Sequence, residues 1–188
     1  MHDDISSQPH QASLKHVSPY LLTIITVMAI QALVLATIGR DWTCTCGTIR
    51  FWQGTLDPVE NSQQVSDPYS LLHMIFGFGL FLWLRWIRPS WPLGLRAVIA
   101  VFSSAVWEVM ENLPFMVSRF GAEGSDYHYI GDSIINSLSD TTFVLLAFLL
   151  ASRLPAPVML GLALALEVAV YLMIGDSLAI GTVRLIAG

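Results

Sequence analysis

The sequence predicts an all-α polytopic membrane protein, a helix bundle with about five transmembrane helices. Three observations predict it. Hydrophobic residues make up 54% of the 188-residue chain, while charged residues make up only 12%. A soluble domain carries about twice that charged share. The mean hydropathy is +0.62. The net charge of −5 lies in loops and the N-terminal stretch, and no basic patch is present, so a nucleic-acid partner is excluded. The length suits one bundle, without room for a second domain.

Five apolar runs match a hydrocarbon core of about 30 Å at 1.5 Å per residue. They cover residues 20–39, 69–87, 93–113, 132–151 and 155–174. A polar leader, residues 1–18, precedes the first. That run is longer than a signal-peptide core of about 7–15 residues. Ala36-Thr37-Ile38-Gly39 is also a poor cleavage site, so the run is expected to be an uncleaved anchor. Residues 19–174 form the transmembrane domain. Residues 175–188 are too short to span and are either a frayed tail or an interfacial helix begun by Asp176.

Short loops set the orientation. Arg85, Arg88 and Arg96 lie between spans two and three, Arg153 between four and five, and Lys15 before span one. The opposite side has Arg40, Arg50, Arg119 and Arg184, spread over longer loops and diluted by acids. A cytoplasmic N-terminus and a periplasmic C-terminus follow. Trp83, Trp86 and Trp91 fit an interfacial aromatic belt on the inner side.

The loop over residues 40–67 is then outside and holds both cysteines, Cys44 and Cys46. Thiols there are oxidised. A disulfide between residues two apart closes a small, strained ring, and strained disulfides are the reducible ones. One reading is a redox couple or half of a metal site; the plainer one is a local staple or unpaired thiols. Alternation in Thr48-Ile49-Arg50-Phe51-Trp52 predicts a short strand or hairpin. The second outer loop, residues 118–131, carries Arg119, Glu123, Asp126, Tyr127, His128 and Tyr129. It reads as a lid or as an ordinary solvated connection.

Polar groups inside the spans carry the functional argument, because an ionisable residue there costs on the order of 3 kcal/mol on insertion scales. Ser104, Glu108, Glu111 and Asn112 share one helix; Asp132, Asn136 and Asp140 share the next. At 1.5 Å per residue, His73 and Glu108 lie about 9 Å below the outer surface, Asn136 about 6 Å and Asp140 about 12 Å. In an antiparallel hairpin Asn112 and Glu111 face Asp132, Glu108 faces Asn136, and Ser104 faces Asp140. His73 joins them from span two, with Arg119 near the mouth. The expected outcome is an outward-facing polar pocket. Each member also has a plainer role. His73 can be an interhelical hydrogen-bonder, Asp132 an N-cap, and Asn136 with Ser133, Ser137 and Ser139 interhelical glue. Glu167, near the midplane of span five, is hard to excuse, while Gly77 and Gly79 suggest close packing.

Carboxylates crowded in low dielectric suit proton shuttling, cation binding or general acid/base work. One His with two or three carboxylates could hold a divalent metal. No nucleophile motif, phosphate loop, HExxH or dinucleotide fingerprint is present, and no cofactor is expected.

At these residues the chain resembles an uncharacterised family of small polytopic inner-membrane proteins, mostly alphaproteobacterial, grouped as a domain of unknown function. The resemblance runs through Cys44-Thr45-Cys46-Gly47, Trp52, Gly54, Ser62-Gln63, Asp67, Tyr69-Ser70, His73 and Gly77-Phe78. It continues through Trp107-Glu108, Glu111-Asn112, Phe115, Arg119, Tyr129, Gly131-Asp132-Ser133, Asn136-Ser137, Asp140 and Leu154-Pro155. It implies a bacterial inner-membrane location and brings no agreed activity. Gln64 and Phe76 stand where members tend to carry histidines, and Ala147 replaces a glycine. The tail after Asp176 lacks the usual asparagines. If those histidines bind metal in relatives, the resemblance implies that this chain binds it poorly, so no metal is expected. A weaker likeness is to VanZ-like membrane proteins, which also space a His, a Glu, an Arg and an Asp/Asn pair across successive helices; it carries no reaction.

The favoured reading is a binding or transport-like protein whose pocket takes a cation, a proton or a lipid head group. Two alternatives stand beside it. One is a membrane-embedded hydrolase or transferase acting on envelope lipids, with His73 or Glu108 as base. The other is an assembly or stability factor for another membrane complex. Membrane lipids are the expected partners; a membrane-protein partner and self-association stay open.

Overall fold

The computed structural model describes residues 18–55, 57–121 and 129–187, with the backbone alone at residues 184, 185 and 187. The expected leader, Lys15, and loop residues Glu123, Asp126, Tyr127 and His128 lie outside them. Seven helices are described: α1 (Pro19–Thr37), α2 (Pro68–Ile87), α3 (Leu93–Glu111), α4 (Pro114–Phe120), α5 (Ile134–Ala151), α6 (Ala156–Ile174) and α7 (Leu178–Ala187). Five of them, α1, α2, α3, α5 and α6, are long and apolar enough to cross a membrane.

Proline marks the starts. α1, α2, α4 and α6 each have Pro in the first two positions, where the missing N–H costs nothing and φ is already helical. Pro92 stands at the N-cap of α3. Asp67 caps α2 with a capping box: its carboxylate accepts from the N–H groups of Tyr69 and Ser70, and Ser70 Oγ accepts from Asp67 N–H.

α2 packs chiefly on α5 and then on α6, α1 packs on α3, and α3 also packs on α5. In lipid, helices associate through close packing more than through the hydrophobic effect, so small residues matter. Ala97, Ala100, Ala147 and Ala151 are buried beside Phe78, Phe81, Leu84 and Phe148. The rings of Phe81 and Phe148 meet edge to face at 5.4 Å. Gly77 lets α2 approach α5, for a Cβ there would lie 2.5 Å from the Val144 carbonyl. Gly79 has no such role: a Cβ there meets nothing within 4 Å. Leu22, Leu33, Leu164 and Leu172 point outward, as a lipid-facing surface requires.

Three expectations are corrected. Residues 48–52 form no strand. Backbone bonds from Val65 N–H to Arg50 O and from Gln53 N–H to Ser66 O are too few and too irregular for a ladder. The second is the start of α7, which is Leu178, not Asp176. Ser177 Oγ accepts from Ile180 N–H, and the Glu167 carboxylate accepts from Leu178 and Ala179 N–H. Glu167 therefore satisfies orphan donors of the last helix, which explains an acid within α6. The third is α4 (Pro114–Phe120), which lies beyond the expected end of span three at Leu113 and runs into the residues read as the second outer loop.

Candidate functional site

Four chain segments meet at one end of the bundle: the ends of α1 and α3 and the starts of α2 and α5. The cover over this junction comes from the loop between α1 and α2. Its residues Asn61, Ser62, Gln63, Gln64, Ser66 and Asp67 are buried. Burial of so polar a stretch is tolerated because its groups are paired. Ser133 N–H donates to Ser62 O at 2.9 Å, Ile134 N–H to Asp41 O at 2.8 Å and Ile135 N–H to Trp42 O at 3.1 Å. These are orphan donors at the start of α5, and the loop supplies their acceptors. Ser133 Oγ, which accepts from Asn136 N–H, is the N-cap; the N-cap role expected of Asp132 is thereby corrected. Gln63 Nε2–H donates to Gly131 O at 2.6 Å. Within the loop, Cys44 and Cys46 form a disulfide.

Asp132 lies beneath the loop. Asn112 Nδ2–H donates to Asp132 Oδ2 at 2.6 Å, and Asp132 N–H returns a bond to Asn112 Oδ1 at 2.7 Å. Arg40 Nε–H donates to Asp132 O at 3.2 Å. Burial pushes the Asp132 carboxyl above the ordinary 3.8, opposed by Glu111, Asn112, Tyr129 and the Arg40 charge. Burial, and then the Asp132 charge, push the Tyr129 phenol well above 10. Arg119, expected at the mouth, stands half-buried in the last turn of α4. The cation placed on Asp132 is Arg40, which sequence reasoning counted only as a loop charge.

Deeper in the bundle the polar groups fall into two sets. The first is satisfied. Ser104 Oγ lies 3.2 Å from Thr141 Oγ1, Thr141 Oγ1–H donates to Gln31 Oε1 at 3.0 Å, and Gln31 Nε2–H donates to Ser137 O at 3.0 Å. This chain ties α3, α5 and α1 together and accounts for its members as glue. Gln31 was missed by sequence reasoning, although a lone amide in the apolar run of α1 was a usable signal.

The second set is not satisfied. His73 Nδ1 lies 3.3 Å from Glu108 Oε1, and Nε2 lies 3.7 Å from Asp140 Oδ2. Glu108 is fully buried, yet among the described residues neither of its carboxylate oxygens has a hydrogen-bond partner; Asp140 Oδ1 and Asn136 Oδ1 are likewise buried and unpartnered there. Glu111 stands one turn from Glu108, and a ligand atom from each of His73, Glu108 and Glu111 lies within 4.8 Å of the others. The expected register is shifted slightly. Glu108 meets His73 rather than Asn136, Ser104 meets Thr141 rather than Asp140, and Asn136 Nδ2–H donates to Gln64 O at 3.0 Å. An unpartnered buried carboxylate is expensive, which makes Glu108 and Asp140 the candidate site residues of this cluster.

Comparison with known proteins places this geometry in a family. The profile described as "Protein of unknown function (DUF2585)" matches residues 35–188. The chain belongs to that family. UPF0314 proteins are similar along nearly its whole length. The one from Brucella anthropi is 44% identical over 88% of this chain and 84% of its own. Those from Sphingopyxis alaskensis and Rhizobium meliloti are 37% and 36% identical, covering 88% and 89% of this chain and 88% and 85% of theirs. No solved structure matches. The DUF2585 match includes every residue of the unsatisfied set, and it leaves out Gln31 of the satisfied one. These findings support an alphaproteobacterial family and do not extend to VanZ-like proteins.

Proposed function

We propose that the chain is an inner-membrane protein that binds protons or small cations at His73, Glu108 and Asp140. The observation carrying this reading is the imidazole held between two buried carboxylates, with both Glu108 oxygens and Asp140 Oδ1 lacking a hydrogen-bond partner among the described residues. Two acids sharing one imidazole in low dielectric gain most from a bound proton or cation. Glu111, Asp132 and Asp67 are further acidic groups close by, a setting that suits a proton or cation better than a lipid phosphate.

The site faces the periplasm in this reading. A disulfide in the covering loop supports an oxidising compartment on that side. Arg85, Arg88, Arg96 and Arg153 at the opposite end of the bundle support a cytoplasmic location there.

Thermal unfolding of the full chain in detergent, followed across pH and in sodium or magnesium chloride, tests the proposal. Wild type is expected to gain stability from protons or cations, while Glu108→Gln and Asp140→Asn insert normally and lose that gain. An unchanged gain in both variants would reject the site.

A further inference from the structure

We propose that His73, Glu108 and Glu111 hold one divalent transition-metal ion, with Asp140 orienting the imidazole from its far side. The inference rests on the preceding reading of the cluster and names the class of cation. Three observations carry it.

The first is the donor set. His73 offers one ring nitrogen, Glu108 and Glu111 offer carboxylate oxygens, and the three ligand atoms lie within 4.8 Å of one another. An ion at about 2.1 Å from each ligand needs them about 3–4 Å apart, which small side-chain rotations supply. Glu108 and Glu111 are spaced i, i+3, so both project from one face of α3. α2 supplies the histidine from across the bundle.

The second is the unfilled acceptor capacity. Glu108 is 0% exposed and both of its oxygens lack a hydrogen-bond partner. Two neighbouring carboxylates and a neutral imidazole present two negative charges, which a divalent ion balances.

The third is the second imidazole nitrogen. His73 Nδ1 points to Glu108, while Nε2 is 3.7 Å from Asp140 Oδ2. A metal-bound histidine usually donates its other N–H to a carboxylate, which fixes the tautomer and raises ligand basicity. Asp140 Oδ2 lies just outside hydrogen-bond distance, and a shift of under about 1 Å brings it into that role. Ser104, Thr141 and Gln31 hold the adjacent helices through their own bonds, so the packing of α1, α3 and α5 there does not draw on His73 or Glu108.

Mixed imidazole and carboxylate ligation favours Zn²⁺, Mn²⁺ or Fe²⁺ over Ca²⁺, which prefers oxygen alone, and over Cu(I), which prefers sulfur. Gln64 and Phe76, where histidines were expected from the resemblance, stand outside this donor set. Gln64 Oε1 accepts from Arg50 N–H at 2.7 Å, and Phe76 packs against the hydrophobic core.

The test is equilibrium binding of zinc chloride and manganese chloride to the purified full chain, with metal counted after dialysis. Wild type is expected to retain one ion per chain. His73→Ala, Glu108→Gln and Glu111→Gln should each lose at least 100-fold in affinity. Asp140→Asn should lose about 10–100-fold while keeping the same stoichiometry, as for an outer-shell partner. X-ray absorption of the zinc-loaded wild type provides a readout independent of variant folding and should show one imidazole nitrogen with oxygen neighbours. Equal zinc binding by wild type and His73→Ala, as from His2, His10, His16 or His128, would overturn the inference, as would an absorption spectrum without imidazole. Wild type that binds no divalent ion but keeps a proton- or sodium-dependent gain in stability through Glu108 and Asp140 overturns the metal alone. Loss of both responses removes the parent reading too.

Discussion

Asn112 and Asp132 exchange two hydrogen bonds, side chain to side chain at 2.6 Å and backbone to side chain at 2.7 Å, joining the end of α3 to the start of α5. Asn112 Nδ2–H also reaches Glu108 O at 2.9 Å. Asn112→Ala removes one donor from the buried Asp132 carboxylate and the acceptor of Asp132 N–H, so a loss of about 1–3 kcal/mol is expected. Denaturant or thermal unfolding in detergent measures it. The double variant with Asp132→Ala should fall well short of the sum of the single changes, because both remove one linkage. Additive losses would show that the pair does not act together.

Asp67 gives a pH prediction. Burial raises its carboxyl from 3.8 to about 6, partly offset by N–H donors from Tyr69, Ser62 and Ser70. The folded state then holds the proton more tightly than the unfolded chain. Stability contributed by this group is full below about pH 4 and falls as pH rises to about 6. The slope is on the order of 1.4 kcal/mol per pH unit at most. Asp67→Asn keeps an N-cap acceptor and should flatten that part of the stability profile; an unchanged slope contradicts the assignment.

Gly77→Ala should weaken the contact of α2 with α5. Its new methyl group would lie 2.5 Å from the Val144 carbonyl and 3.0 Å from Ala147 Cβ, both held by helix packing. A cost of about 1–3 kcal/mol follows. Gly79→Ala meets open space and should be tolerated. Comparing the unfolding midpoints of the two variants provides an internal control, and equal effects would contradict the packing account.

The Cys44–Cys46 bond spans two positions of sequence, so it removes little freedom from the unfolded chain. Cys44→Ser with Cys46→Ser should shift stability by less than about 1 kcal/mol, since the loop is held mainly by Ser62, Gln63 and Asp67. Loss of the folded protein on reduction would reverse this ranking.

The five long helices were legible because apolar runs bounded by proline report both length and start. Helical spacing and depth put His73, Glu108 and Asp140 at a similar level but gave other neighbours: Glu108 adjoins His73 rather than Asn136, and Ser104 adjoins Thr141 rather than Asp140. Two features were not legible. α4 has only seven residues, too few for a periodic pattern, and the burial of residues 61–67 depends on acceptors for the start of α5, a tertiary need with no local signature. Arg40 was read only as a loop charge for the same reason: its partner is Asp132 O, 92 positions away.

His73, Glu108 and Asp140 act as one titrating unit in this account, and an NMR titration of the His73 ring nitrogens in the full chain tests that most directly. The account predicts that Glu108→Gln and Asp140→Asn each move the His73 titration midpoint, because each carboxylate adjoins a different ring nitrogen. A His73 midpoint identical in wild type and both variants would contradict it.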